Sequence, residues 1–524
     1  MGLLPYWRFL HAGFVMAREG VFAIVPLQDA PAPAKLAVRL IRTIERPSAR
    51  KRDMAARMSL AFDRLGPSYI KLGQFLATRA DVVGEEVAAE LALLQDQVPP
   101  VPDAEAKAAI EEAMGAPVEA VFAEFGDCVA AASIAQVYRA TLDDEVHGRR
   151  EVAVKVLRPG VARRFEKDLE AYYTAARFME RFVPKSRRLR PVAVVDTLAA
   201  SVRFEMDLRL EAAAISEMAE NTAEDERFRV PRVEWAKTSR TVLTMEWIDG
   251  IKLSRVSELR DAGFDLPTLG RHVLQTFLRH AVRDGFFHAD MHQGNLFAEA
   301  DGTLVAVDLG ITGRLSREER GFLAEILYGF IERDYHRVAE IHFRAGYVPM
   351  TQDVDLFAQA LRAVGEPIRD ATAQELSMSR LLAHLFETTD LFQMRTQPQL
   401  IMLQKTMVVV EGVARSLDPN LNIWQTAEPV VRDWMVKEIG PEATVRKAQD
   451  SFSAVTRAVL AAPVLAERVE RLSKDLEIAL ERGLPISDQS IEHLGRYAVS
   501  RSAVRLTALW VGAISLAVLA WNSF

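Results

Sequence analysis

The most informative stretch of this chain spans residues 288–310, with the sequence HADMHQGNLFAEADGTLVAVDLG. Asp290 stands five residues before Asn295, and Asp308, followed by Leu-Gly, stands thirteen residues after Asn295. Phosphoryl transfer uses these side chains, because one carboxylate orients a hydroxyl while an amide and a second carboxylate bind Mg²⁺. The spacing predicts a phosphate-transfer site with Asp290 and Asn295 as catalytic residues and Asn295 and Asp308 as metal ligands.

A lysine far upstream completes this chemistry. Lys155 ends the alternating apolar stretch VAVK at 152–155. In a kinase-type fold such a strand lysine contacts nucleotide phosphates and is oriented by a carboxylate on a nearby helix. The candidate carboxylates are Glu205, Asp207 and Glu211, in a region where Asp207 and Glu211 would share one helix face. The sequence leaves open whether Glu205 or Glu211 is the partner.

Two histidines in the same stretch raise an alternative, a zinc site. His288 and His292 are four residues apart, as in some zinc-binding helices. The glutamate that a zinc hydrolase helix needs is missing, and Gly294 would interrupt the helix. Magnesium chemistry is therefore the preferred interpretation.

The segment that should cover the phosphates has an unusual composition. A glycine-rich G-x-G-x-x-G loop is missing before Lys155, and AAASIAQ at 130–136 takes its place. Alanine has less backbone freedom than glycine, so this cover should be stiffer. The predicted nucleotide-binding residues here are Ala130, Ala131, Ala132, Ser133, Gln136 and Val137.

Bulk properties exclude some classes of protein. A length of 524 residues exceeds what one hydrophobic core usually supports. A net charge of −7 argues against a nucleic-acid partner. The single cysteine, Cys128, excludes an intrachain disulfide and fits a reducing compartment.

Periodicity predicts an α+β protein. Strands are expected at 134–140, 151–157, 230–233 and 241–247, and a hairpin at 295–308 around Asp301-Gly302. Helices are expected at 161–182, over all of 192–223, and through most of the chain after 316. The predicted domains are a helical extension (1–120), a mostly β lobe with a helical insertion (121–250), a helical lobe (251–440) and a helical region (441–504).

The C-terminal residues predict a membrane anchor at 505–522. The sixteen residues 506–521 carry no charge and follow Arg496, Arg501 and Arg505. As a helix they span roughly 24 Å, which suffices for a locally thinned bilayer or for insertion in one leaflet. A buried helix is the alternative. The arginines favour a cytoplasmic location for the main body.

These segments, taken with PSYIKLGQ at 67–74, resemble the UbiB family of atypical kinase-like proteins. The match includes the family's Lys-x-Gly-Gln motif, the alanine-rich loop, VAVK, the Glu205-x-Asp207 pair, the 288–295 loop and Asp308-Leu-Gly. It covers roughly residues 60–430. The resemblance implies a two-lobed atypical protein-kinase-like fold with an N-terminal helical extension and a C-terminal hydrophobic anchor.

The resemblance also implies roles for individual residues. Lys71 and Gln74 would lie on a helix over the site, with Lys71 contacting Glu205 and Asp207 and blocking protein substrates. Glu211 would pair with Lys155. The hinge, including Glu246 and Ile248, would hold adenine through backbone groups. The implied cofactors are ATP and Mg²⁺.

The implied function is an ATPase or kinase supporting ubiquinone biosynthesis on the cytoplasmic face of a bacterial inner membrane. Its partners would be membrane lipids, ubiquinone precursors and the enzymes that use them, with a homodimer left open. The alternative is a small-molecule or lipid kinase of the aminoglycoside or choline kinase type, which would lack the Lys-x-Gly-Gln helix and the anchor. A non-catalytic nucleotide-binding scaffold is disfavoured because Lys155, Asp290, Asn295 and Asp308 are all present.

Overall fold

The computed structural model describes residues 4–21, 43–77, 99–144, 148–182, 190–369 and 398–439, with a few positions between these ranges (83, 87, 90, 91, 388 and 391–394). The helices are α1 (Leu4–Arg18), α2 (Met54–Leu65), α3 (Pro67–Ala77), α4 (Asp103–Met114), α5 (Val118–Val121), α6 (Val161–Phe182), α7 (Pro191–Glu205), α8 (Leu208–Asn221), α9 (Val256–Asp261), α10 (Leu266–Arg279), α11 (Arg317–Glu332), α12 (Tyr335–Arg344), α13 (Val354–Arg369), α14 (Pro398–Leu417) and α15 (Ile423–Ile439). The strands are β1 (Glu124–Ala131), β2 (Ala135–Asp144), β3 (Gly148–Leu157), β4 (Phe228–Arg229), β5 (Val242–Glu246), β6 (Ile251–Lys252), β7 (Phe286–His288), β8 (Leu296–Ala298), β9 (Leu304–Ala306) and β10 (Thr312–Arg314).

The first lobe is built on an antiparallel sheet with strand order β1-β2-β3-β5. Successive residues of β3 point to opposite faces, which gives the sheet two different surfaces. On one face Val152, Val154 and Val156 are buried against α4 and α5. On the other face Ala153 and Leu157 join the main core, and Lys155 lies between them. The alternation predicted for β3 therefore directs this lysine toward the interior of the molecule.

The region predicted to be helical at 192–223 consists of two helices, α7 and α8, with a break at Met206 and Asp207. Asp207 has an extended backbone (φ −129°, ψ 92°) and its side chain accepts a hydrogen bond from the Arg209 amide, so it caps α8. Glu211 lies within α8. Asp207 and Glu211 therefore do not share the helix face expected from their spacing.

The strand predicted at 230–233 is also displaced. The strand is β4, Phe228–Arg229, which pairs in parallel with β9. Val233 makes only an isolated bridge to Met245. The hairpin predicted at 295–308 is confirmed as β8 and β9, which pair antiparallel from Leu296 with Ala306 to Ala298 with Leu304.

The second lobe places α10 and a π-helical turn, His280–Asp284, before β7 and the following loop. Helix α10 packs closely against α14, and a Cβ on Gly270 would lie 2.8 Å from the Ala414 carbonyl oxygen. This close approach requires glycine, because real Cβ atoms do not come so near to backbone. Helix α14 is thereby fixed beside the loop that carries Asp290.

The chain forms two compact units, Met1–Met435 and Val436–Phe524. The second lies almost wholly outside the described residues, as does the predicted anchor at 505–522. None of the helices in the described ranges has the length and apolar character needed to cross a bilayer. The domain boundaries at 120, 250, 440 and 504 stay predictions.

Candidate active site

Lys155 lies between two carboxylates in the cleft of the two lobes. Its Nζ is 2.8 Å and 3.0 Å from the two carboxylate oxygens of Glu211, and 3.0 Å from Asp308 Oδ1. The side chains of Lys155 and Glu211 are 12% and 6% exposed, whereas that of Asp308 is 49% exposed. Asp308 is therefore the member of this Lys155–Glu211–Asp308 cluster that faces the open cleft.

The charges of this cluster depend on one another. Partial desolvation raises the pKa of Asp308, but the nearby Lys155 cation outweighs this effect and holds that pKa at about 2. Burial raises the pKa of Glu211 to about 7, with Lys155 opposing and Asp308 adding to the rise. Burial lowers the pKa of Lys155, but Asp308 and Glu211 together raise it above its ordinary value. Lys155 thus stays charged in an enclosed site, as a phosphate-binding lysine must.

Asp308 has an unusual backbone. Its φ is +60°, in the left-handed region that costs most residues free energy but that Asp tolerates comparatively well. A Cβ on Gly310 would approach Asp308 Oδ1 to 3.3 Å. The Asp-Leu-Gly sequence therefore suits this turn at both positions.

The loop between β7 and β8 is organised by hydrogen bonds within itself. The Asp290 amide donates to His288 Nδ1 at 3.1 Å, so that nitrogen carries no proton and Nε2 donates to the Val307 carbonyl at 3.3 Å. Burial lowers the pKa of His288, which keeps the ring neutral. Both ring nitrogens are thus used within the protein, which argues further against a zinc ligand role for His288.

Asn295 is held close to the predicted base. Its Nδ2 donates to the Asp290 carbonyl at 3.2 Å, which leaves the Oδ1 atom as an acceptor. In the part of the chain that the structure describes, His, Cys, Asp and Glu side chains nowhere form a group of three or more that could hold a metal ion. The oxygen atoms of Asn295 and Asp308 suit Mg²⁺, whose other ligands would be water and nucleotide phosphate.

Two residues of α14 reach this loop, and no sequence pattern indicated them. Thr406 donates its hydroxyl to the Ala289 carbonyl at 3.0 Å and is buried. Burial lowers the pKa of the neighbouring Lys405, with the Asp290 charge opposing and the Lys71 charge adding to the effect. Lys405 is nevertheless an exposed residue. Lys405 and Lys71 therefore both contribute positive potential near Asp290.

The register of the sheet shows which of the residues predicted to bind nucleotide lie on the same face as Lys155. Ala130 pairs with Val137, and Val137 pairs with Lys155, so these three share one face. Gln136 lies on the opposite face, where its Oε1 accepts from the Val101 amide at 3.0 Å and its amide donates to Tyr138. The structure does not bring the Gln136 side chain to the cleft.

The turn at Ala132, Ser133 and Ile134 is fixed by an arginine that sequence reasoning missed. Arg158 donates from Nε to the Ala132 carbonyl at 2.9 Å, and its own amide donates to the Ile134 carbonyl. Its Nη1 also reaches the Pro99 carbonyl at 3.0 Å. Ala131 ends β1 just before this turn. The position of the alanine-rich segment is therefore fixed by Arg158, in addition to the limited backbone freedom of its alanines.

Replacing Arg158 with lysine is expected to weaken ADP binding about tenfold, because an ammonium group cannot hold the Ala132 and Pro99 carbonyls together. Titration calorimetry with ADP and Mg²⁺ measures the effect. Arg149→Lys is the matched control, since Arg149 pairs with Glu124 on the exposed part of the same sheet. Equal affinities of the two variants would show that Arg158 does not support the nucleotide cover.

Helix α3 lies close to the predicted pocket. Lys71 Nζ is 2.5 Å from Glu205 Oε2, and both side chains are largely buried. The other oxygen, Glu205 Oε1, has no hydrogen-bond partner among the residues that the structure describes. Asp207 binds Arg209 instead, at 2.6 Å and 2.9 Å. Gln74 lies one turn beyond Lys71 and is half-buried.

Ion pairs attach α8, which carries Glu211, to the second lobe. Arg314 donates to Glu217 at 2.6 Å. Asp225, just after α8, binds Arg283 at 2.5 Å and the buried His280 at 3.3 Å. Because α8 is held at both points, Glu211 stays within reach of Lys155.

The hinge strand β5 ends at Glu246. Arg229 donates to both carboxylate oxygens of Glu246, at 3.0 Å and 3.1 Å. The Glu246 side chain is thus already occupied, and Ile248 beyond it is buried. Any contact with adenine at this hinge would therefore be made by backbone groups.

Comparison with known proteins identifies the class. Residues 93–342 match the ABC1 atypical kinase-like domain, and residues 361–422, which include all of α14, match the UbiB helical domain. The fold and the arrangement around Lys155 are those of an atypical kinase-like protein.

Curated relatives are similar over most of the chain. A protein named probable protein kinase UbiB from Marinobacter nauticus is 38% identical over 450 residues, which cover 84% of this chain and 81% of that protein. A protein of the same name from Aeromonas salmonicida is 40% identical over 82% of this chain and 79% of its own length. This chain belongs to the UbiB family.

A solved structure, that of the Rv3197–erythromycin complex from Mycobacterium tuberculosis, has a TM-score of 0.48 and 24% identity, covering 76% of this chain and 98% of that one.

Proposed function

We propose that this protein is a Mg²⁺- and ATP-dependent atypical kinase or ATPase that supports ubiquinone biosynthesis at the cytoplasmic face of a bacterial inner membrane. The observation that carries the proposal is the Lys155–Glu211–Asp308 cluster, with Nζ at 2.8 Å and 3.0 Å from the two carboxylates. Lys155 is charged and held, and Asp308 is ionised and faces the cleft. A buried lysine between two carboxylates adds little net stability, whereas the same arrangement suits the binding of a nucleotide and its metal ion.

Each residue of the site would have a separate role in the reaction. Lys155, oriented by Glu211, would bind nucleotide phosphates, and the turn after Ala131 would cover them. Asp308 and Asn295 would hold Mg²⁺, which neutralises charge on the transferred phosphoryl group when bound. Asp290, whose backbone carbonyl anchors Asn295, would orient the attacking hydroxyl or water.

The acceptor of the phosphoryl group is proposed to be water or a small group rather than a protein. Lys71 of helix α3 forms an ion pair with Glu205 at 2.5 Å, and Lys405 places a second ammonium group near Asp290. A polypeptide substrate would have to displace these contacts. An ATPase cycle that makes apolar polyprenyl precursors accessible to soluble enzymes needs no such opening.

Replacing Lys71 with alanine is expected to lower the free energy of unfolding by about 1–3 kcal/mol, because Glu205 is left largely buried without its cation. Urea unfolding measures this change, with Lys107→Ala on α4 as the control. A Lys71→Ala, Glu205→Gln double variant should recover part of the loss. Additive losses in the double variant would show that the two side chains are not coupled.

The test of the proposed function is ATP turnover by the purified full chain with vesicles present. Mg²⁺-dependent phosphate release is the expected result, and it should disappear when a chelator removes the metal. A small-molecule kinase, the second candidate, would instead require an added hydroxyl compound for ADP formation. ATP binding without any turnover under these conditions would contradict both.

A further inference from the structure

Helix α1 presents large apolar side chains to solvent. Trp7, Leu10 and Phe14 are 72%, 62% and 48% exposed, respectively. They follow one another at positions i, i+3 and i+7, so they form one stripe along the helix. Isolated exposed apolar residues are ordinary, but a contiguous stripe of this kind marks an interaction site.

The other face of α1 is firmly attached to the protein. Ala12 and Ala17 are buried. Glu19, just after the helix, is buried between Arg64 at 2.8 Å and Arg46 at 3.1 Å. Arg8 binds Asp168 of α6. The helix therefore cannot simply turn over to hide its apolar stripe.

Helix α6 extends the exposed apolar area. Phe178 and Met179 are 51% and 43% exposed, and the Phe178 ring lies 6.4 Å from that of Phe9 on α1. We call the five exposed side chains on α1 and α6 the apolar surface: Trp7, Leu10, Phe14, Phe178 and Met179. Two helices thus contribute to one face.

Basic side chains outnumber acidic ones around the apolar surface. Arg18, Arg177 and Arg181 are exposed beside it. Residues 4–18 contain no Asp or Glu. The nearby carboxylate of Glu180 accepts a hydrogen bond from the Val192 amide. The full chain has a net charge of −7, so this basic character is local.

We propose that the apolar surface docks on an anionic lipid bilayer, with α1 lying in the plane of the headgroups. A helix of fifteen residues is about 22 Å long, which is too short to span but suits an interfacial position. Exposed aromatic side chains beside arginines match an apolar boundary beneath anionic headgroups. Pairing with a second copy would bring two sets of arginines together, which disfavours a dimer through this face.

The apolar surface is connected to the helix over the candidate site. On the inner side of α6, the Tyr172 ring packs edge-on against Tyr69 of α3, with centroids 5.1 Å apart. Tyr69 stands two residues before Lys71. Docking would therefore place the Lys71 side of the molecule near the membrane, and the use of this position for apolar precursors rests on the proposed function.

The test uses the full chain with a single reporter. A polarity-sensitive fluorophore is attached to Leu10→Cys in a Cys128→Ser background. The control carries it at Met350→Cys, a position that is 82% exposed in the second lobe. Vesicles contain either phosphatidylcholine alone or phosphatidylglycerol with phosphatidylethanolamine, with and without brominated acyl chains. The control separates local docking from attachment through the predicted C-terminal anchor.

The expected result is a blue shift and bromolipid quenching at position 10, but not at position 350, with anionic vesicles. Arg18→Glu and Arg177→Glu should each weaken the preference for anionic vesicles about fivefold. An unchanged spectrum at position 10 would overturn the proposal. A blue shift without vesicles would also overturn it, because the chain itself or a second copy would then cover the face, and sedimentation tells these apart. ADP binding measured on the same samples reports separately on the proposed function.

Discussion

Replacing Asp308 with asparagine is expected to reduce Mg²⁺-dependent ATP turnover at least about a hundredfold. Asparagine keeps the size of the side chain and tolerates the φ of +60° at this position. It removes the negative charge that the metal requires and the charge that Lys155 contacts at 3.0 Å. The fold should therefore persist while the site loses its metal ligand. Steady-state phosphate release at several Mg²⁺ concentrations measures the effect.

The matched control is Asp301→Asn, seven residues upstream. Asp301 shapes the hairpin turn, accepting from the Thr303 amide at 2.9 Å, and an asparagine serves that turn equally well. Asp301→Asn should retain turnover. If Asp308→Asn kept full Mg²⁺-dependent activity, Asp308 could not be the metal ligand.

Lys155→Met is expected to have the second largest effect, a loss of about 3 kcal/mol in the free energy of unfolding together with the loss of nucleotide binding. Methionine fills the space of the lysine stem but leaves Glu211 and Asp308 in the cleft without a shared cation. The burial of the Glu211 carboxyl group without its cation then opposes folding and raises the pKa of Glu211 further. Urea denaturation and ADP titration measure the two consequences.

The same variant should change how stability depends on pH. The pKa of Asp308 is held at about 2, below its ordinary value of 3.8, so in the wild type this group stabilises the fold above pH 3.8. That contribution is lost as the pH falls toward 2. Without Lys155 the pKa of Asp308 should rise, and the stabilisation between pH 2 and 4 should shrink.

Lys252→Met, on the short strand β6, is the control for replacing a strand lysine with methionine. Lys252 lies over the Phe297 ring at 5.5 Å and forms no ion pair with a carboxylate of the described residues. It should change stability little. A Lys155→Met, Glu211→Leu double variant should regain part of the lost stability, because it removes the uncompensated buried charge. Equal stabilities of Lys155→Met and Lys252→Met would contradict the proposed electrostatics.

Local sequence patterns predicted much of the fold because the relevant interactions are local. Alternation of apolar residues indicated β3, which carries Lys155, and Asp301-Gly302 indicated the hairpin of β8 and β9. The spacing of Asp290 and Asn295 likewise reflects a contact within one loop, from Asn295 Nδ2 to the Asp290 carbonyl. These features need no knowledge of distant residues.

Other features could not be predicted, since they depend on contacts between distant segments. The carboxylate partner of Lys155 was open between Glu205 and Glu211, and only the break at Asp207 separates them onto two helices. Arg158 and Thr406 act on carbonyls far from them in sequence, at Pro99 and Ala289. A carbonyl acceptor carries no residue-specific signal, so such partners become visible only in three dimensions.

Gln136 shows the limit of predicting a site from neighbouring residues. It lies within the alanine-rich segment, yet β2 turns its side chain away from Lys155 and toward Val101. In a strand, adjacent residues point to opposite faces. Val137, one residue further, is the position that shares the face of Lys155.

The most direct test of the central claim is the ubiquinone content of bacterial cells lacking their own UbiB-family protein and supplied with this chain. The wild type and Asp308→Asn are compared at equal protein levels, with Asp301→Asn as the control. The account predicts that the wild type and Asp301→Asn restore ubiquinone and that Asp308→Asn does not. Full restoration by Asp308→Asn would show that the role in ubiquinone synthesis does not depend on the metal–nucleotide site, and would contradict the account.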